Sequence, residues 1–260
     1  MLAKEIMIEQ GSNEWLELRK EFIGSSSAPI ILGVSKWRTP FQLWQEMLDL
    51  APPQFETAAM KRGKELEPIA RERLCNKLGV ELKPRTFVRD FMMSSLDGID
   101  KDLKTAVEIK WPNINDHKLA LEGKVPEHYY PQIQHQMMTL GLKEIWYSSN
   151  FNESHADLLI GYDHEFCEKL FDKEKKFWKH LISFEPPELL DRDYENKDDD
   201  MWKTLAHEWK EIINLEKDLE QKKEDIRKKI IDQTQGKNCK GYGIQVSCTH
   251  RRGNIDYSAV

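Results

Sequence analysis

The 260-residue sequence predicts an α/β fold in which helices flank a mixed β-sheet, with a long helix and a small β-hairpin appended at the C-terminal end. Three observations lead there. Apolar residues recur at helical spacing through most of the first eighty positions. Short β-type runs separated by turn residues fill positions 80–109. Helical and extended segments then alternate until Pro186-Pro187.

In chain order, Ser12 can cap a helix in which Trp15, Leu18 and Phe22 recur at three and four. Gly24-Ser25-Ser26-Ser27 reads as a hydroxyl-rich turn, and Thr39-Pro40 opens a second helix with Leu43, Trp44, Met47 and Leu48 on one face. The whole stretch of the first fifty residues is expected to be helical. A third helix is expected over 57–78, carrying Glu65 and Glu67, with Gly79 as its C-terminal cap. Strands follow at 80–82, 86–89, 92–96 and 106–109, the pattern of a meander. Then come a short helix near 117–122, a longer one over 126–140 ending at Gly141, strands at 145–148 and 156–160, and a helix over 164–184 stopped by the two prolines.

The domain boundaries follow: 1–187 as one domain, 188–200 as an acidic linker, and 201–260 as an extension. In the extension Leu205, Ile212, Leu219 and Ile226 recur every seven residues, flanked by Trp202, Trp209 and Ile230, while Glu216 and Lys223 interrupt the second seam. This predicts an amphipathic helix over 201–232 that docks on its own domain or on a partner, over a sustained coiled coil. Segments 241–248 and 254–257 then read as a hairpin around 249–253. Lys237, Lys240, His250, Arg251 and Arg252 make this tail basic, which suits either a DNA contact or a solvated hairpin.

Composition excludes several classes. No run of eighteen apolar residues occurs, so a membrane protein is not expected. Residues 1–9 lack an apolar core and a cleavage site, which points to the cytoplasm. Cys75, Cys167, Cys239 and Cys248 form no C-x-x-C pair, as expected of reduced thiols without a zinc or iron-sulfur site. A net charge of −6 argues against coating nucleic acid by bulk electrostatics, but leaves room for a local basic surface.

The chemistry concentrates in Leu96-Asp97-Gly98 and Val107-Glu108-Ile109-Lys110. On a strand, Glu108 and Lys110 share a face while Val107 and Ile109 point into the opposite layer. Asp97, read as the start of a turn back to the neighbouring strand, can bring a second carboxylate to Glu108. Two carboxylates suit a hard dication that activates water at a phosphodiester, with a lysine to position the water and stabilise charge. The competing reading is a plain Glu108–Lys110 salt bridge on a half-exposed strand.

These residues resemble the PD-(D/E)XK signature, with Leu96 in the proline position. An ordered series resembles the YqaJ-type viral recombinase family that includes lambda exonuclease. It runs through Trp15-Leu16-Glu17-Leu18-Arg19, Ile23-Gly24-Ser25-Ser26-Ser27-Ala28, Leu32 to Pro40, Leu43-Trp44, Arg62 to Pro68, and Tyr130-Pro131-Gln132-Ile133-Gln134, covering roughly residues 12–165. The resemblance implies a restriction-endonuclease-like nuclease domain over 1–187. Asp97, Glu108 and the Ile109 carbonyl would bind Mg²⁺, with Mn²⁺ able to substitute. Lys110 would be catalytic, Glu67 would reach the metal through water, and Gln132 would support the site. Arg19, Ser26 and Ser95 would hold a 5′-terminal phosphate.

The activity implied is 5′–3′ digestion of double-stranded DNA ends, leaving 3′ single strands for recombination or repair in a bacterial or phage-infected cell. The implied partners are a single-strand annealing protein and further copies of the chain in a trimer. Outside the family pattern, Glu67 reads as a solvated helix residue, Gln132 as a surface amide, Arg19 as a helix-surface charge and the serines as turn formers. Two other functions stay open: a structure-dependent or non-specific endonuclease of the same fold, and an inactive DNA-binding module. Trp37, Trp44 and Trp111 suit either base stacking or core packing.

Overall fold

The computed structural model describes residues 2–51 and 57–249, which fall into two compact units, Met1–Tyr194 and Glu195–Val260. The first opens with strand β1 (Lys4–Ile6), helix α1 (Asn13–Leu18), strand β2 (Ile23–Gly24) and helices α2 (Ala28–Ile31) and α3 (Pro40–Met47). Ser12 Oγ accepts the Trp15 N–H to start α1, and a reciprocal Thr39–Gln42 capping box followed by Pro40 starts α3. Helix α4 (Ala58–Leu78) is capped by Thr57 and ended by Gly79 at φ +68°, a left-handed turn that a glycine adopts at little cost.

Next come β3 (Lys83–Arg89), β4 (Met92–Ile99), β5 (Ala106–Lys110), α5 (Ile114–Leu121), α6 (Tyr130–Leu140), β6 (Glu144–Phe151), β7 (Ser154–Gly161) and α7 (His164–Ser183). Among the described residues the sheet runs β1-β3-β4-β5-β6-β7, with β2 beside β4. The β5–β6 and β2–β4 pairs are parallel and the rest antiparallel, so the sheet is mixed. Leu96, Ala106, Tyr147, Ile133 and Met137 form the core under α6, while Val107, Ile109, Leu74, Ala70 and Leu82 form the layer under α4. A further cluster joins α2, α3 and α7 through Ile30, Trp44, Phe177 and Leu181.

The structure departs from the sequence reading in four places. The first fifty residues are not all helical: β1 and β2 pair with β3 and β4, partners some seventy to eighty residues downstream. Residues 80–82 are not a strand; the Leu82 N–H points at Cys75 Sγ (3.3 Å) instead of a ladder, and β3 begins at Lys83. Asp97 does not start a turn, because β4 continues to Ile99. The hairpin is shorter and earlier than expected. Strands β8 (Cys239–Gly241) and β9 (Ile244–Val246) flank Tyr242-Gly243, whose positive φ angles of 46° and 78° match the twist of a two-residue turn. The strand expected at 254–257, and His250, Arg251 and Arg252, lie outside the described residues.

The first unit takes in the front of the acidic run. Asp193 accepts from the Thr39 hydroxyl at 2.5 Å and from the Leu190 N–H at 2.8 Å. In the second unit, α8 (Asp200–Thr234) is capped by Asp199 and leaves Leu205, Trp209, Ile212 and Leu219 exposed; near its end Ile226 and Ile230 share an apolar groove with the hairpin. Among the described residues no helix is long and apolar enough to cross a membrane.

Candidate active site

The site is a fork in the sheet. Strands β4 and β5 pair only at Gly98↔Val107 and Ile99↔Ala106; beyond that β5 follows β6, while the other end of β4 follows β2. Asp97 sits in the irregularity of β4, where three steps from Leu96 to Ile99 face two steps of β3 from Arg85 to Lys83. Such a bulge re-aims one side chain. The Asp97 carboxylate turns into the gap, and its Oδ2 accepts the Ile109 N–H at 2.7 Å. Gly98 follows by necessity, since a Cβ there would stand 2.9 Å from Val107 Cγ2.

Glu108, only 1% exposed, enters from the α6 side of the sheet. Its Oε1 accepts from Gln132 Nε2 at 2.6 Å and pairs with Lys110 Nζ at 2.5 Å, and its Oε2 accepts from Gln136 Nε2 at 2.5 Å. Glu67 and Arg71, one turn apart on α4, pair at 2.8 Å, and Arg71 also donates to the Asp97 carbonyl. The triplet is therefore a salt bridge and also part of a larger cluster, so the two readings of it are not exclusive.

The electrostatics are unbalanced. Burial and the neighbouring Glu108 charge push the Asp97 carboxyl well above the usual carboxylate range. Burial likewise raises Glu67, against the opposing pull of Arg71. Burial works to lower Lys110, but Glu108 and Asp97 outweigh it and hold the ammonium above its ordinary value. Three carboxylates thus share Lys110 and an arginine engaged from the side. Among the described residues no group of three or more His, Cys, Asp or Glu side chains forms a ready metal cage. The donor set is two carboxylates with a backbone carbonyl between them, which fits a hard dication that keeps several of its waters, as Mg²⁺ does.

A cleft of about 490 Å³ opens over Asp97, Ile109, Lys110, Glu67 and Gln132. A second pocket of about 170 Å³ shares Asp97 and Gln132 with it and is lined by Arg19, Ser26 and Ser95. Arg19 Nη2 donates to Ser26 Oγ at 3.1 Å, and Ser95 Oγ accepts from Trp15 Nε1 at 3.0 Å. Among the described residues no carboxylate pairs with Arg19, whose pKa burial lowers. A half-buried guanidinium beside two hydroxyls has the chemistry to meet an anion.

The structure therefore brings Glu67, Asp97, Glu108, Ile109, Lys110 and Gln132 together, and Arg19, Ser26 and Ser95 beside them. Sequence reasoning missed Gln136, Arg71 and Trp15 as contributors. Gln136 and Arg71 each lie four residues after a residue already singled out, Gln132 and Glu67, the spacing that stacks side chains on a helix face. His117 and His135 are hydrogen-bonded core residues, on Ser149 and Ser154 and on Glu174 respectively.

With the geometry in hand, the family is settled: the family model of the YqaJ-like viral recombinase domain matches residues 14–143, half of the sequence, and the chain belongs to that family. It is 27% identical over 190 residues to the uncharacterised protein YqaJ of Bacillus subtilis (strain 168), covering 67% of this chain and 57% of that protein. The match thus spans less than two thirds of the relative. Among solved structures, an alkaline exonuclease (LHK-Exo) from Laribacter hongkongensis superposes with a TM-score of 0.58 at 24% identity, covering 66% of this chain and 94% of that one. The same exonuclease in complex with dAMP gives 0.59 at 22%, with the same coverage. These likenesses establish the shared fold.

Proposed function

We propose that this chain is a Mg²⁺-dependent deoxyribonuclease that digests double-stranded DNA from 5′-phosphorylated ends in the 5′–3′ direction, leaving 3′ single strands. One observation carries the reading: Asp97, Glu108 and Lys110 converge at the β4–β5 fork, and the pocket around Arg19 opens onto the same Asp97.

Asp97, Glu108 and the Ile109 carbonyl would hold Mg²⁺, or Mn²⁺ in its place; the bound ion neutralises phosphate charge and makes a water more acidic. Gln132 and Gln136 fix both oxygens of Glu108, so the carboxylate is oriented before substrate arrives. Lys110, an ammonium at the cleft floor, donates from Nζ to the attacked phosphate and to the incoming water. Arg19, Ser26 and Ser95 grip the terminal phosphate and set the distance from the end to the bond that breaks. The likeness to an alkaline exonuclease supports an end-dependent enzyme.

Digestion of linear duplexes with 5′-phosphate or 5′-hydroxyl ends, beside closed circular duplex, tests this. The expected result is Mg²⁺-dependent loss of the phosphorylated linear substrate, slower loss of the hydroxyl form and an intact circle. Cutting of the circle would make the chain an endonuclease, and no cleavage of any substrate would leave a DNA-binding module.

A further inference from the structure

We infer that Trp37 is a base-stacking residue: the open face of its indole takes an unpaired or terminal nucleobase beside the scissile phosphate. The inference rests on the nuclease reading and names the part of the substrate that the large cleft receives.

The three candidate tryptophans have separate fates. Trp44 is buried among α2, α3 and α7 and donates its Nε1 to the His180 carbonyl at 3.1 Å. Trp111 is half-buried against the α4 layer. Trp37 is 65% exposed, yet it lines the same cleft as Asp97 and Lys110. An exposed tryptophan on a random surface patch needs no explanation, but one at the mouth of a charged cleft does.

Trp37 is also held in place. Ser35 Oγ accepts its backbone N–H at 3.3 Å and that of Arg38, and Arg38 is paired with Glu46 on α3. The indole meets the buried ring of His128 edge to face, with centroids 5.3 Å apart and an interplanar angle of 77°. His128 leans on Tyr129 at 4.1 Å, and Lys110 Nζ lies 5.6 Å from the Tyr129 centroid. An aromatic series, Trp37, His128 and Tyr129, thus leads through the cleft lining to Lys110. With 65% of the residue exposed beyond this contact, the indole offers open surface where it lines the cleft.

Nucleobases are the ligands that this arrangement suits. They carry a flat π-face, they are tethered to the anion that the floor of the cleft receives, and Lys36 beside Trp37 adds positive charge for the backbone. Inside a duplex both faces of a base are already stacked. Only a terminal pair or an unpaired base has one free, so Trp37 favours ends through the base as Arg19 would through the phosphate.

The test uses the full chain and 5′-phosphorylated duplexes carrying 2-aminopurine at the terminal position or at an interior one, in Ca²⁺ for binding and Mg²⁺ for turnover. Wild type should quench the terminal probe and not the interior one. Trp37→Ala should lose that quenching and raise KM by roughly 5- to 150-fold, the span of one lost base stack, with kcat changed less. Trp37→Phe should retain most of both, and a thermal melt of each variant separates lost stacking from lost folding. Unchanged quenching and KM in Trp37→Ala, or no terminal quenching by a wild type that cleaves, would overturn the inference and leave the nuclease reading standing. A wild type that quenches the terminal probe but cleaves nothing would remove the nuclease reading and keep Trp37 as a base contact.

Discussion

Two buried aspartates lie in the same sheet, and their charges are resolved in opposite ways. Asp157 on β7 is 2% exposed at its side chain and is met by Arg73 at 2.6 and 2.7 Å, by Lys77 at 2.8 Å and by the Ser148 hydroxyl at 2.7 Å. Burial alone would raise its pKa, but these partners more than offset it and hold the carboxyl far below the usual range. Asp97 receives one backbone N–H and faces a second carboxylate, and its pKa is driven up. At the first, the single carboxylate is fully neutralised by two cations, which pin α4 to the edge of the sheet. The second is short of positive charge, which marks a place where function outweighs stability. A buried charged residue alone therefore says little; whether its neighbours complete the neutralisation says more.

Substitutions can break this contrast. The largest effect belongs to Lys110→Ala and Glu108→Gln, each expected to slow DNA cleavage about 1,000-fold or more in steady-state assays while leaving the circular dichroism spectrum unchanged. Next, Asp157→Asn should lower stability by about 3 kcal/mol in denaturant titrations, because it strands Arg73 and Lys77, with turnover retained below the reduced melting temperature. That deficit has a pH signature. A depressed folded pKa stabilises above the unfolded value of about 3.9 and loses that contribution as pH falls through the folded value. The gap between wild type and Asp157→Asn should therefore close only in strong acid.

Mg²⁺ at about ten times its dissociation constant should stabilise wild type by about 1.4 kcal/mol and leave Asp97→Asn unmoved, as thermal melts with and without EDTA would show. The smallest expected effect is that of Gln136→Ala. Removing one of two amides from Glu108 should cost about 1 kcal/mol in kcat/KM, close to fivefold, and a loss as large as that of Lys110→Ala would mean that Gln136 does more than orient Glu108.

What the sequence disclosed follows from what is local. The cap at Ser12, the helix start at Thr39-Pro40 and the stop at Gly79 are written in adjacent residues, and each is in place. Alternation along β5 put Glu108 and Lys110 on one face, where they meet at 2.5 Å. Strands β1 and β2 were invisible because three and two residues have no periodicity; only their distant partners make them strands. The bulge at Asp97 was hidden for the same reason, since it exists only in the register between β3 and β4. Reading Asp97-Gly98 as a turn mistook a glycine demanded by Val107 for one demanded by a reversal of the chain. Gln136 lay in a helix whose other buried residues are mostly apolar, and its role depends on which face meets Glu108.

The central claim is that the β4–β5 fork is held short of positive charge because it serves a dication and a phosphate. Asp97→Asn tests it most directly, since the amide keeps an acceptor for the Ile109 N–H and removes only the charge. The variant, assayed on 5′-phosphorylated linear duplex and melted in EDTA, should show no detectable cleavage and a melting temperature equal to or above that of wild type. Retained cleavage, or a loss of stability like that of Asp157→Asn, would contradict the account.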